Sequence, residues 1–196
     1  MWIEGRGQVP GQLVVVSGPS GSGKSTVIRR ALESGDMNAR LSVSATTRDP
    51  RAGEVEGKDY YFMSPDEFRR NIDNGEFLEH AEYNYHHYGT PAKPVYDALA
   101  KGESIILEIE VNGAKQVRFK APSSLFVFIK TPDFRTLENR LKQRGTETDA
   151  SILRRLRHAR DELAEAYWFD VELINDDLDQ CVTKFVTNLK RFGYGG

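Results

Sequence analysis

The sequence predicts an α/β fold: a parallel sheet core flanked by helices, with a small mixed α/β lobe inserted in it and a helical hairpin toward its end. Three observations predict this. First, Leu13-Val14-Val15-Val16 is a continuous apolar run of the kind buried on both faces of a sheet, and it leads through a Gly/Ser turn into a helical stretch from Ser25 to Glu33. Second, the strand-like segments "ESIILEIEV" (103–111), "SLFVFIKT" (124–131) and "VELIN" (171–175) alternate with helical patterns at 112–120, 133–144 and 178–192. Such alternation predicts parallel strands joined by covering helices. Third, the rhythm breaks between about Arg40 and Thr90, where "LSVSAT", "YYFM" and "FLEHAEY" are short and alternate with polar residues. A single helix is expected there, capped by Ser64 and Glu67 and followed by Gly75.

The hairpin is read from "QRGTETDAS", Gln143 to Ser151, a charged turn between two helices. The second helix sets Ile152, Leu156, Ala159, Leu163 and Ala166 along one face and arginines on the others. A chain of 196 residues is long enough for one sizeable core and too short for two ordinary domains. With 27 Lys and Arg against 29 Asp and Glu, no general electrostatic case exists for nucleic acid or an anionic membrane, so any anion site must be local. The single cysteine, Cys181, excludes an internal disulfide and a Cys-rich zinc site; it lies in a helical pattern where packing accounts for it, and a reducing cytoplasm is expected. No apolar run approaches the ~18 residues of a membrane span, and "MWIEGRGQVPGQ" lacks the apolar centre of a signal peptide, so the expectation is a soluble, unprocessed protein. His86 and His87 would point apart on a strand, and with His80 and His158 they read as polar surface rather than as metal ligands.

"GPSGSGKS" fills every fixed position of G-x-x-x-x-G-K-[ST], with Gly18, Pro19, Ser20, Gly21, Ser22, Gly23, Lys24 and Ser25 in turn and Thr26 after it. Chance would produce that pattern in roughly one chain in a hundred of this length, and its position after a strand and before a helix is the context that gives it meaning. Backbone N–H groups around Gly21 and Gly23 can curl about a phosphate, the helix start adds a positive dipole end, and Lys24 reaches the transferring end. Ser25 can offer its hydroxyl to Mg²⁺. The loop predicts a nucleoside triphosphate ligand, ATP or GTP.

A second anion site is read from "TTRDPRAGEVEGKDYYF". Arg48 and Arg51 bracket Pro50 and precede Gly53, so a restricted turn aims two guanidinium forks at one point, which suits a monophosphate. The competing reading is a surface ion-pair loop with Asp49, Glu54 and Glu56. Glu79, taken alone, is an exposed charge on an amphipathic segment. Glu108 and Glu110 stand two apart on an expected strand, sharing one face near its carboxyl end, where open α/β sheets bind ligands; neutralisation of core arginines is the alternative. Arg140 and Arg144 are four apart on one helix and Arg155 follows the turn, an arrangement open to phosphate contact or to a solvated basic face.

Taken together, "SVSATTRDPRAGEVEGKDYYF", "GEFLEHAEY", "HYGTP", "LEIEVNGAKQV", "RLKQRGTET" and "INDDL" resemble guanylate kinase, in matching order, from about residue 11 to 192. The resemblance implies a P-loop NTPase fold catalysing ATP + GMP ⇌ ADP + GDP with Mg²⁺. It divides the chain into a core (11–39, 91–139 and 160–192), a GMP-binding lobe (40–90) and a mobile lid (140–159). It implies that Arg48 and Arg51 take the GMP phosphate with Tyr60 and Tyr88, and that Ser44, Glu79 and Thr90 contact the base. A carboxylate accepts both donors on the pairing edge of guanine and faces a lone pair on adenine, so Glu79 would reject AMP. Glu110 would help hold GMP, with Glu108 toward Mg²⁺ and Lys24. Arg140, Arg144 and Arg155 would converge on the phosphates as catalytic groups. Asn175 matches a contact to the adenine side of ATP, or else serves the turn after its strand. Two local departures stand out: Glu-x-Glu where the family often has Asp-x-Asp, and Tyr85-His86-His87 where it usually has Gly-Asn-Tyr. The expected partners are ATP and GMP, with dGMP a further substrate. Scaffold domains of the same fold that bind phosphorylated proteins lack a complete phosphate loop, and kinases of sugar phosphates lack the guanine-reading set; this chain has both.

Overall fold

The structure, a computed structural model, describes residues 11–83, 85–142 and 149–193. Its elements in chain order are β1 (Leu13–Ser17), α1 (Lys24–Glu33), β2 (Ala39–Leu41), β3 (Ser44–Thr46), β4 (Tyr60–Phe62), α2 (Pro65–Asp73), β5 (Phe77–Tyr83), β6 (His86–Pro91), α3 (Ala92–Ala100), β7 (Ser104–Glu108), α4 (Val111–Lys120), β8 (Leu125–Lys130), α5 (Phe134–Lys142), α6 (Asp149–Ala164), β9 (Val171–Ile174) and α7 (Leu178–Arg191). A five-stranded sheet runs β2-β7-β1-β8-β9 with every pairing parallel, and a four-stranded sheet runs β4-β3-β6-β5 with mixed pairing.

Period-two alternation explains why the central strands β1, β7 and β8 are apolar along most of their length. Leu13, Val15, Ile105, Leu107, Phe126 and Phe128 point to one face and pack with Val95 and Ala98 of α3 and Val111, Ala114 and Val117 of α4. Val14, Val16, Ile106, Val127 and Ile129 point to the other and meet Val27, Ile28 and Ala31 of α1 and Cys181, Phe185 and Leu189 of α7. Each of these three central strands thus feeds two hydrophobic layers, the pattern of strands buried between helices. The smaller sheet has its own apolar centre, in which Phe68 of α2 stacks on Phe77 of β5 with ring centroids 4.4 Å apart. Ser64 caps α2 as expected, its hydroxyl accepting from Glu67 N at 3.2 Å, and Gly75 follows with φ of 70°.

Four expectations change. The parallel sheet reaches Leu41, because β2 pairs with β7 at its edge. Helix α3 is present where no helical pattern was read; its start carries Pro94, and only Val95 and Ala98 are buried. The strand expected to run to 111 ends at Glu108, and Glu110 is the N-cap of α4, its carbonyl accepting from Ala114 N at 2.9 Å. Glu108 and Glu110 therefore do not share a strand face: the chain leaves the sheet between them to begin the helix. Ala166, placed on the face of the second hairpin helix, falls in a short 3-10 turn beyond the end of α6. The departure at Tyr85 has a backbone consequence, since this exposed residue takes φ of 66°, a left-handed conformation that glycine adopts without strain.

Candidate active site

The loop after β1 turns on itself through Ser22 N donating to Pro19 O at 3.0 Å and delivers Gly23 as the left-handed N-cap of α1. A Cβ at Gly23 would lie 2.4 Å from Asn175 Nδ2, so glycine is demanded there by both φ and space. Lys24 Nζ donates to Gly18 O at 2.9 Å, arching the side chain back over the loop. Two braces hold the loop from beyond, one buried and one half-buried. The Asn175 amide, only 4% exposed, donates to Ser22 O at 2.8 Å, and Arg140 donates to Asn175 O at 2.9 Å and to Ser22 O at 3.4 Å. Arg155 on α6 donates to the Ser20 hydroxyl. Arg140 and Arg155 thus reach the loop from the two helices of the hairpin; Arg144 lies outside the described residues.

At the carboxyl end of β7, in the same site, Ser25 Oγ donates to Glu108 Oε1 at 2.5 Å. Ser17 Oγ donates to Ile109 O at 2.6 Å and Ile109 N to Val16 O at 3.2 Å, fixing the backbone between the two acids against β1. A hydroxyl and a carboxylate oxygen meeting beside a phosphate loop form a hard-oxygen donor set of the sort Mg²⁺ takes when most of its shell is phosphate and water. Thr26 follows on α1.

The smaller sheet brings together residues read as a second anion site. Arg48 is held by Glu54 Oε1 at 2.8 Å and by Asp49 O at 2.7 Å, with its guanidinium 5.3 Å from the centre of the Tyr60 ring. The other Glu54 oxygen accepts from Arg51 N at 2.7 Å. Arg48 is 11% exposed in its side chain, and the Glu54 hydrogen bond holds its pKa above the ordinary arginine value. The ion pair anticipated as the competing reading is therefore formed, and it sits within the cluster rather than in open solvent. Tyr60 and Tyr88 meet edge to face at 6.1 Å, and burial raises the Tyr60 phenol. Ser44 begins β3 opposite Tyr60, while Arg51 is exposed.

Glu79 faces Thr90 across the β5–β6 ladder, and the Thr90 hydroxyl donates to Glu79 Oε1 at 2.7 Å. The carboxyl is 6% exposed; burial pushes it up against the Thr90 hydrogen bonds, and Glu110 pushes the same way. Glu79 is thus no surface charge on an amphipathic strand. The site brings Glu79, Thr90 and Glu110 together, and Arg48, Tyr60 and Tyr88 beside one another.

Glu162 was missed from the sequence. This α6 residue is 6% exposed, with His158 Nδ1 at 3.5 Å from its carboxylate. Burial pushes it to about 7, with His158 and Lys24 opposing the rise and Glu110 adding to it. The available signal was its spacing of seven from Arg155, two turns along one helix face. Because the folded pKa lies above the unfolded one, the folded state binds more protons between pH about 4.5 and 7, and stability falls as pH rises through that window. Glu162→Gln is expected to be more stable than the parent at pH 8 by on the order of 1–3 kcal/mol, with the gain shrinking as pH falls and vanishing only below about 4.5. Urea melts across pH measure it; a gain independent of pH would contradict it.

Comparison with known proteins agrees with this geometry. The guanylate kinase family model matches residues 10–191. The guanylate kinase of Thermosynechococcus vestitus is 47% identical over 178 residues, 91% of this chain and 93% of that protein, and that of Rubrobacter xylanophilus is 47% identical over 186 residues, 95% and 97%. The crystal structure of guanylate kinase from Anaplasma phagocytophilum superposes with a TM-score of 0.74 at 33% identity, covering 94% of this chain and 87% of that one. With a phosphate loop, a buried carboxylate beside a threonine and a matching fold along nearly the whole chain, this protein belongs to the guanylate kinase family.

Proposed function

We propose that the chain transfers the γ-phosphoryl group of ATP to GMP, and to dGMP, in purine nucleotide metabolism in the cytoplasm. The observation that carries the reading is the pairing of a phosphate loop closed by Lys24 with an arginine–tyrosine cluster around Arg48 on the neighbouring sheet. In the reaction a phosphate oxygen of GMP forms a bond to the γ-phosphorus while the bond to the β–γ bridging oxygen breaks, giving GDP and ADP with no net proton change. Such transfer needs positioning and charge neutralisation rather than a covalent intermediate.

The loop amides hold the ATP phosphates, Lys24 takes the γ-phosphate, and Arg140, Arg144 and Arg155 of the hairpin add positive charge. Asn175 serves the ATP side by fixing the Ser22 carbonyl and Arg140. Arg48, Arg51, Tyr60 and Tyr88 hold the GMP phosphate, while Glu79, with Ser44, Thr90 and Glu110, reads guanine. Ser25 would hold Mg²⁺ with Glu108 behind it, and the ion would supply positive charge to offset that of the phosphates. Lobe 40–90 and lid 140–159 close over core 11–39, 91–139 and 160–192 to exclude water, the competing acceptor. Among the described residues no helix is long and apolar enough to cross a membrane.

An ADP-release assay with ATP and Mg²⁺ against GMP, dGMP, AMP, CMP, UMP and ribose phosphate tests the reading. Activity confined to the guanine nucleotides is expected. Equal use of AMP, or ADP release independent of any acceptor, would contradict it.

A further inference from the structure

Helix α4 lies along β5 by a face spaced i, i+3, i+7. Gln116 presents its amide to the backbone of His80, donating from Nε2 to His80 O at 2.9 Å and accepting His80 N at 3.1 Å. Lys120 Nζ donates to Phe77 O at 2.7 Å. Since β5 is an edge strand of its sheet, Gln116 takes the part a further strand would play. Between these two anchors in β5 stands Glu79, and opposite it on the same helix face stands Gly113. A Cβ on Gly113 would lie 2.5 Å from Glu79 Oε2, 3.1 Å from its Cδ and 3.3 Å from its Cγ. The carboxylate has little room to yield, being buried and tied to Thr90. Gly113 has no positive φ, so the helix itself does not require glycine here.

We propose that Gly113 is a specificity-determining position: its lack of a side chain is the space in which the guanine-reading carboxylate stands, and α4 is the template that sets that carboxylate against the base. The inference rests on Glu79 reading guanine. A helix interior ordinarily favours alanine over glycine, so this position gives up local helix preference for the geometry of a carboxylate on another element.

The test compares Gly113→Ala and Glu79→Gln with the parent in steady-state kinetics for GMP, AMP and ATP, with thermal melting alongside. For Gly113→Ala the KM for GMP should rise roughly ten- to a hundredfold and the preference for GMP over AMP should fall, since misaligned buried hydrogen bonds dominate such discrimination. The KM for ATP should stay unchanged, whatever the clash with Glu79 costs in melting temperature. If Glu79→Gln keeps full discrimination, the role of Glu79 fails and the proposal with it. If Glu79→Gln loses discrimination and Gly113→Ala keeps it, the role of Gly113 alone is overturned. A Gly113→Ala protein that melts lower and weakens for GMP and ATP alike would also overturn it, because that is what a packing defect does.

Discussion

Lys24→Met is expected to lower turnover by about 10³-fold or more while the protein still folds. The effect is large because Lys24 is the cation of the phosphate loop, its Nζ arched to within 2.9 Å of Gly18 O at the loop's beginning. On the proposed role, a phosphoryl group in transfer would spread its charge over oxygens that face this ammonium, and in a closed site a fixed charge counts for more than in bulk solvent. Methionine keeps the length of the side chain and removes the charge. Folding should survive because α1 is anchored by Val27, Ile28 and Ala31 in the core, on a face away from the loop chemistry. Turnover at saturating ATP and GMP, with a melting curve as control, measures the effect. A variant retaining a tenth or more of the parent rate would contradict the role given to Lys24.

The second large effect is expected for Arg48→Met, which should raise the KM for GMP roughly 10²- to 10³-fold and leave the KM for ATP within a few-fold. Two losses combine. On the proposed role, the GMP phosphate would lose a guanidinium fork that Asp49 O and the Tyr60 ring already hold in place. In addition Glu54, whose carboxylate is engaged by Arg48 and by Arg51 N, loses its charged partner and presents uncompensated negative charge beside the incoming dianion. Truncating one member of a partly buried charge pair costs more than the pair itself contributes, because the remaining charge is left without its counter-charge. A double variant that also carries Glu54→Gln should recover part of the loss. Equal weakening for ATP and GMP would instead indicate general damage to the fold.

How far these features could be read in the sequence differs from residue to residue. The phosphate loop was legible because its parts are consecutive and backbone geometry dictates glycine at set places. The sheet was legible because strands buried on both faces must be apolar at every position, as Leu13 to Val16 are. Helix α3 was not, since "AKPVYDALA" places a proline in the first turn and offers few buried anchors. The three-residue β2 is too short to carry a period. The separation of Glu108 from Glu110 was illegible for a related reason: both residues have backbone compatible with a strand, and only the hydrogen bonds that open α4 reveal the boundary.

Side-chain convergence is the hardest part. Gly113 and Gln116 acquire meaning from what faces them across the fold, and Glu162 offers in the sequence only its spacing from Arg155. Glu54 was named only as one acid in an ion-pair loop, and the structure shows that the ion pair and the arginine cluster are one arrangement.

The central claim is that two phosphate groups are gripped at once, one by the loop and Lys24, the other by Arg48 and Arg51, so that they meet in line. A crystal structure with GMP and a non-hydrolysable ATP analogue bound together tests it most directly. The expected result places the guanidinium groups of Arg48 and Arg51 within hydrogen-bond distance of the GMP phosphate, Glu79 against the guanine edge, and Lys24 on the terminal phosphate of the analogue. Nucleotides bound elsewhere, with Arg51 still exposed and Arg48 contacting only Glu54 and Asp49, would contradict it.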